Sequence, residues 1–135
     1  KLHMLKLVPV IKAFIERQLE KRIPTVIEGV DFYPPCLFSY NKDKVLFINL
    51  YCSDEFVHYS RLTERELKRQ QNASNVNAYF ENIREKNDLL HKDILELESD
   101  NIKSIDIMNL NEKQVLNLVE NIIKNYIRKN ENSAK

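Results

Sequence analysis

The sequence predicts an α/β protein in which a small parallel sheet of about three strands is flanked by helices, as a partial sandwich. Short apolar or β-branched runs alternate with long segments of helical periodicity, and glycine is almost absent. Only Gly29 is present, where average usage predicts about nine glycines. An all-β fold with many tight turns is therefore not expected. A glycine-rich phosphate loop of the GxxxxGK[ST] or GxGxxG type is excluded within this chain.

The length of 135 residues predicts a single domain large enough to bury a core. Lys and Arg number 21 and Asp and Glu number 20, so the net charge of +1 favours neither nucleic acid nor a membrane surface. No apolar run reaches the roughly 18 residues of a membrane span. Two cysteines, Cys36 and Cys52, predict neither a disulfide framework nor a four-ligand zinc site, and we expect them to be reduced in the cytoplasm.

The predicted elements follow the order helix, strand, strand, helix, helix, strand, helix. Apolar residues at helical spacing predict a first helix over 8–22, with Pro9 in its first turn and Pro24 beyond its end. β-branched and apolar runs predict strands over 25–30, 45–51 and approximately 104–108. Ser53 and Asp54 are expected to cap a charged helix over 53–70, and a long amphipathic helix over 76–99 follows it before the last strand.

The sequence also predicts the limits of the domain and the start of the last helix. Residues 1–4 are expected to be a cloning remnant, residues 5–128 the single domain, and residues 129–135 a frayed tail. Asn111 is expected to cap the last helix, with Gln114 in the capping-box position. The core residues of that helix are predicted at 115, 116, 119, 122, 123, 126 and 127.

In parallel sheets, ligands bind beyond the carboxyl ends of the strands, which here selects residues 28–31, 52–54 and 108–111. Glu28 is the most prominent residue there, because it is an acid within an otherwise apolar strand and is followed by Gly29. A buried carboxylate needs a partner, so Glu28 is expected to polarise a water, hold a magnesium shell or pair with a cation of the site. A structural ion pair is the alternative, and Asp31 is a further candidate on the same loop.

A row of cations follows the second predicted strand. His58, Arg61, Arg65 and Arg69, at spacings of 3, 4 and 4, share one helix face. Such a row is suited to binding a triphosphate, because the guanidinium group of arginine can donate two hydrogen bonds to phosphate oxygens. The alternative is a solvent-exposed helix face on which these cations form ion pairs with the acidic residues nearby. His58 has no further ligands at zinc spacing, so no metal site is expected. Aromatic residues do not alternate with the basic ones, so nucleic-acid binding is not expected.

Three segments, taken in order, resemble the 2-phosphoglycerate kinase-like family of P-loop kinases and, more distantly, the zeta-toxin-like kinases. The segments are IPTVIEGVDFYPPCL (23–37), LFINLYCSDEFVHYSRLTERELKR (46–69) and NVNAYFENIREKNDLL (75–90). Together with the final strand and helix, they cover nearly the whole chain in the family's order. The resemblance implies a P-loop kinase fold in the cytoplasm and ATP-dependent phosphorylation of a small hydroxylated phosphate ester.

The resemblance also implies roles for individual residues. It carries Glu28 over as the active-site acid, and Arg61 and Arg65 as catalytic arginines of a lid at about 53–75. His58, Arg69, Arg84 and Asp31 are carried over as substrate-binding candidates, Asp31 standing where the family has His. ATP and Mg²⁺ are implied for the complete enzyme. The family's Walker A loop and first two strands precede every matched segment, and its Walker A strand lies between the strands matched by 25–30 and 45–51. This chain alone is therefore not expected to bind ATP or to catalyse phosphotransfer.

Several interpretations remain open. The chain is an excised part of a larger kinase, a subunit that docks with a Walker A-bearing polypeptide, or a relative that binds without catalysis. The rival function is a non-catalytic interaction module, in which an exposed sheet edge pairs with another chain and homodimerisation is one outcome. A third hypothesis is an acid–base enzyme that uses Glu28 with His58.

Overall fold

The computed structural model describes residues 2–29, 32–33, 40, 42–69, 74–97 and 99–133. Four helices and a two-stranded parallel sheet make up this part of the chain. The elements are α1 (Leu2–Lys21), β1 (Phe47–Tyr51), α2 (Glu55–Lys68), α3 (Ser74–Leu95), β2 (Ile102–Asp106) and α4 (Glu112–Ser133). The prediction of an α/β fold with a parallel sheet is confirmed at this level. None of the described helices is long and apolar enough to cross a membrane.

Helix α1 begins at Leu2, six residues before the predicted start, so Pro9 lies inside the helix and the prediction of a first-turn proline is wrong. Met4, within the expected cloning remnant, is fully buried. The helix ends at Lys21, and the next residue, Arg22, adopts a left-handed φ of 54°. The amide of Arg22 donates to the carbonyl of Leu19, and that of Ile23 to the carbonyl of Gln18, which together form a Schellman motif without glycine.

The predicted strand over 25–30 is wrong for the residues that the structure describes. Residues 25–29 have no regular secondary structure and are exposed, and Val26 is 91% exposed. A β-branched run forms a strand only where a neighbouring strand pairs with it. In the described part of the chain, the sheet contains β1 and β2 alone.

Strands β1 and β2 pair in parallel, from Phe47 opposite Ile102 to Tyr51 opposite Asp106. β2 therefore begins two residues before the start of the third predicted strand at 104. Helix α3 makes the main helical contacts with both strands. On its side of the sheet, Asn49 Nδ2 donates to Ser104 Oγ at 3.0 Å, and His91 Nδ1 lies 2.9 Å from the same oxygen. These contacts fix α3 across one face of the sheet.

Helices α2 and α3 pack through a small apolar core in the described residues. Leu62 of α2 and Val76 and Phe80 of α3 are buried together, and Tyr59 and Ile83 pack against them. Asp54 caps α2 as predicted, because its Oδ1 accepts from the amide of Val57 at 2.8 Å. The two helices form one unit that leads from the end of β1 back to the start of β2.

Helix α4 begins with the predicted capping box: the amide of Gln114 donates to Asn111 Oδ1, and the amide of Asn111 to Gln114 Oε1, both at 2.9 Å. It continues through Ser133, beyond the expected start of fraying at Lys129. Asn130 Nδ2 donates to the carbonyl of Asp43 at 2.9 Å, which holds this last part of the helix. The predicted core face is only half covered, since Leu116, Ile123 and Ile127 are exposed.

Candidate functional site

The carboxyl ends of β1 and β2 lie side by side, and Asp106 joins the two loops that leave them. Asp106 Oδ1 accepts from the amide of Ser53 at 3.1 Å and from the amide of Met108 at 3.0 Å. Burial by itself raises the pKa of Asp106, but hydrogen bonds from Ser53 and Met108 more than offset this, so its pKa lies below the ordinary value. Asp106 is therefore a fixed negative charge at this edge of the sheet.

Arg61 reaches from α2 to the loop that follows β2. Its Nη1 donates to the carbonyl of Ile107 at 2.8 Å. Its Nη2 donates to the carbonyls of Met108 and Leu110, both at 2.9 Å. These contacts direct the guanidinium into the protein, where it holds the loop between β2 and α4.

Arg84 and Asn87 of α3 hold the loop that follows β1. Arg84 Nη1 donates to the carbonyl of Cys52 at 2.6 Å and Nη2 to that of Ser53 at 2.9 Å. Asn87 accepts from the amide of Cys52 at 3.1 Å and donates to its carbonyl at 3.2 Å. Arg84 also pairs with Asp88 at 2.8 Å. Arg84, which is predicted to contact substrate, thus holds the backbone of the loop that follows β1.

His58 lies between this edge and the core of α2 and α3. Its ring packs edge-to-face on Phe80 at 5.6 Å between centroids, and its buried Nδ1 has no hydrogen-bond partner among the described residues. Burial, followed by the positive charge of Arg84, lowers the pKa of His58. The imidazole is therefore held in the neutral form, which does not attract a phosphate.

The remaining members of the predicted row point outward. Arg65 is 50% exposed and lies 3.6 Å from the carboxylate of Glu66. Arg69 is exposed at the end of α2, where its amide donates to the carbonyl of Arg65. Within the predicted row, His58 and Arg61 therefore point into the protein, whereas Arg65 and Arg69 point outward. Arg65 and Arg69 remain accessible to an anion.

The structure does not bring Glu28 to these residues. Glu28 is exposed on the irregular segment after α1, so the premise of an acid buried in an apolar strand is wrong. No hydrogen bond or ion pair joins it to His58, and an acid–base pair of the two is not formed in the described residues. The other loop candidate, Asp31, lies outside the described residues. A functional role of Glu28 now depends on the resemblance alone.

Asp106 and Asn87 organise the edge but are not among the predicted site residues. The predicted strand over 104–108 begins two residues after β2 and so places Asp106 inside a strand, although an acid at a strand end is a recognisable signal. Asn87 follows Arg84 by three residues on the same helix face, a spacing that indicates a common contact. The backbone groups that these two side chains contact have no such signal in the sequence.

The polar groups of this edge are largely engaged within the protein. Arg61 donates to backbone carbonyls, Arg84 donates to backbone carbonyls and to Asp88, and the side chain of Asp54 accepts from the amide of Val57 in the first turn of α2. In the part of the chain that the structure describes, no group of three or more His, Cys, Asp or Glu could hold a metal ion.

Comparisons with known proteins identify no relative. No family model matches the chain, no curated protein matches it, and no solved structure matches it. The assignment to a kinase family therefore stays a proposal.

Proposed function

We propose that this chain is the lid-and-substrate part of an ATP-dependent small-molecule kinase that resembles 2-phosphoglycerate kinase. The supporting observation is the polar edge at the carboxyl ends of β1 and β2, which is the usual ligand position in parallel α/β sheets. The sequence resemblance supplies the reaction class. A further polypeptide segment, in the same chain or in a partner, must supply the phosphate-binding loop.

The contacts at this edge suggest that some of the arginines hold the loops and that others are available to bind phosphate. Arg61 and Arg84 hold the two loops through backbone carbonyls, so they position the edge. Arg65 and Arg69 are exposed on α2, which begins four residues after β1 ends. Their guanidinium groups are the ones available to neutralise charge on a transferred phosphoryl group.

The experiment measures transfer of the γ-phosphate of ATP by the polypeptide that the gene encodes together with the sequence upstream of residue 1. A GxxxxGK[ST] motif in that upstream sequence is the first expected result. Replacing Arg65 with Ala is expected to lower phosphotransfer by about 100-fold. The melting temperature should change little, because the side chain is half exposed.

Lys68→Ala is the matched control, since Lys68 is an exposed cation of the same helix that pairs with Glu64 at 2.9 Å. It should leave phosphotransfer unchanged. Equal loss of activity in both variants would mean that only the general charge of α2 matters. No transfer activity in a polypeptide or complex that does contain a phosphate loop would contradict the proposed reaction.

A second candidate is a non-catalytic interaction module. The observation in its favour is that one edge of β1 has no strand beside it within the described residues. Large apolar side chains are also exposed, among them Phe56 and Leu116. On this proposal Arg65→Ala has no effect on binding to a partner, whereas changes to the β1 edge do.

A further inference from the structure

The outer edge of β1 carries backbone groups that the sheet does not use. Phe47 donates its amide to the carbonyl of Asn101, and Tyr51 accepts from the amide of Ile107. Since bonding alternates along a strand, Phe47, Asn49 and Tyr51 face β2. The amide and carbonyl groups of Ile48 and Leu50 must therefore point to the opposite edge, where no described strand lies.

The two strands differ in their content of charged residues, which discourage pairing at an outer edge. β2 contains Lys103 and Asp106, and charges on a strand discourage further pairing. β1 has the sequence FINLY, without a charged residue, proline or glycine. Leu50 is 46% exposed. An uncharged, exposed edge of this kind is open to strand addition.

We propose that a second copy of this chain pairs with the outer edge of β1 in an antiparallel, two-fold symmetric dimer. The outward-facing residues Ile48 and Leu50 flank Asn49 symmetrically, so the edge is complementary to itself. Ile48 of one copy exchanges both backbone hydrogen bonds with Leu50 of the other. The two Asn49 residues form the central pair without backbone bonds.

The side chains favour the same arrangement. Ile48 and Leu50 lie on the sheet face opposite Asn49, away from α3. On that face, the dimer places Ile48 of each copy beside Leu50 of the other. No like charges meet between the two copies of β1, and the net charge of +1 gives little repulsion between whole chains. The inference does not rest on the proposed phosphotransfer. A strand from a phosphate-loop segment would use the same edge and would displace the second copy.

Sedimentation velocity from about 1 μM to about 1 mM tests the proposal, because an interface of one short strand pair is at the weak end of specific contacts. We expect a concentration-dependent dimer. Leu50→Pro removes the outward amide without touching the bonds to β2, and should leave a monomer at every concentration. Leu50→Val keeps that amide and is the matched control, which should still dimerise.

Amide hydrogen exchange of the unaltered chain gives a second readout that does not need a variant to fold. The amides of Ile48 and Leu50 should exchange at least about tenfold more slowly at high than at low concentration, while those of Phe47 and Asn49 serve as internal references. A monomer throughout the range overturns the proposal and leaves the edge to another polypeptide. A dimer that leaves the Ile48 and Leu50 amides unprotected also overturns it, and indicates the exposed face of α4 instead.

Discussion

The three hydrogen bonds of Arg61 predict that this residue contributes to stability. Replacing Arg61 with Ala removes three bonds from a charged donor to the carbonyls of Ile107, Met108 and Leu110. Such bonds contribute about 1.5–3 kcal/mol each, but water can rehydrate carbonyls of a surface loop. We therefore expect the free energy of unfolding to fall by about 3 kcal/mol, less than the sum of the three.

Urea unfolding followed by circular dichroism measures this loss. Arg65→Ala is the internal comparison: Arg65 is half exposed and lies 3.6 Å from the buried carboxylate of Glu66, and such a long contact contributes about 1 kcal/mol or less. Arg61→Lys keeps the charge but lacks the planar fork that reaches separate carbonyls, so it should lose most of the same stability. An Arg61→Ala loss no larger than that of Arg65→Ala would refute the positioning role of Arg61.

Three further predictions follow from single contacts. Asn111→Ala removes the capping contact with Gln114 and should cost about 1 kcal/mol in urea unfolding; an unchanged midpoint would contradict the capping geometry. The pKa of His58 is lowered by burial and by Arg84, so protonation favours the unfolded chain. Stability should therefore fall as pH drops below the ordinary histidine value of about 6.5, and less steeply in His58→Asn. Hydrogen bonds outweigh burial and hold the pKa of Asp106 below its ordinary value, so its stabilising contribution is present above about pH 3.9 and decreases as pH falls through the lower folded value. The stability difference between the chain and Asp106→Asn should accordingly shrink as acid is added.

Local signals in the sequence were sufficient for several elements. Asn111 and Gln114 form their capping box because the partners are three residues apart, so no distant part of the chain decides it. Asp54 caps α2 for the same reason. The apolar run of 45–51 contains β1, and the predicted helix over 53–70 contains α2. Helix α3 begins two residues before the predicted start at 76 and ends four residues before the predicted end at 99.

Contacts between distant segments could not be predicted in this way. The β-branched run at 25–29 has no regular secondary structure, because a strand exists only through its neighbour and no strand pairs with this run within the described residues. Helical spacing aligned Arg61 with Arg65, but Arg61 bonds to carbonyls about 46 residues away in sequence, which no spacing rule reports. Residues 52–54 follow β1 as predicted, whereas the hydrogen-bond partners of Arg61 and Arg84 depend on contacts between distant segments.

The most direct test of the proposed function is thermal unfolding with and without saturating Mg·ATP, for this chain and for a polypeptide that also includes the sequence upstream of residue 1. The chain alone should unfold cooperatively at an unchanged temperature, because its sequence contains no GxxxxGK[ST] loop. The longer polypeptide should be stabilised by about 2.7 kcal/mol at 100 times its dissociation constant. Stabilisation of the chain alone, or none of the longer polypeptide, would contradict the account.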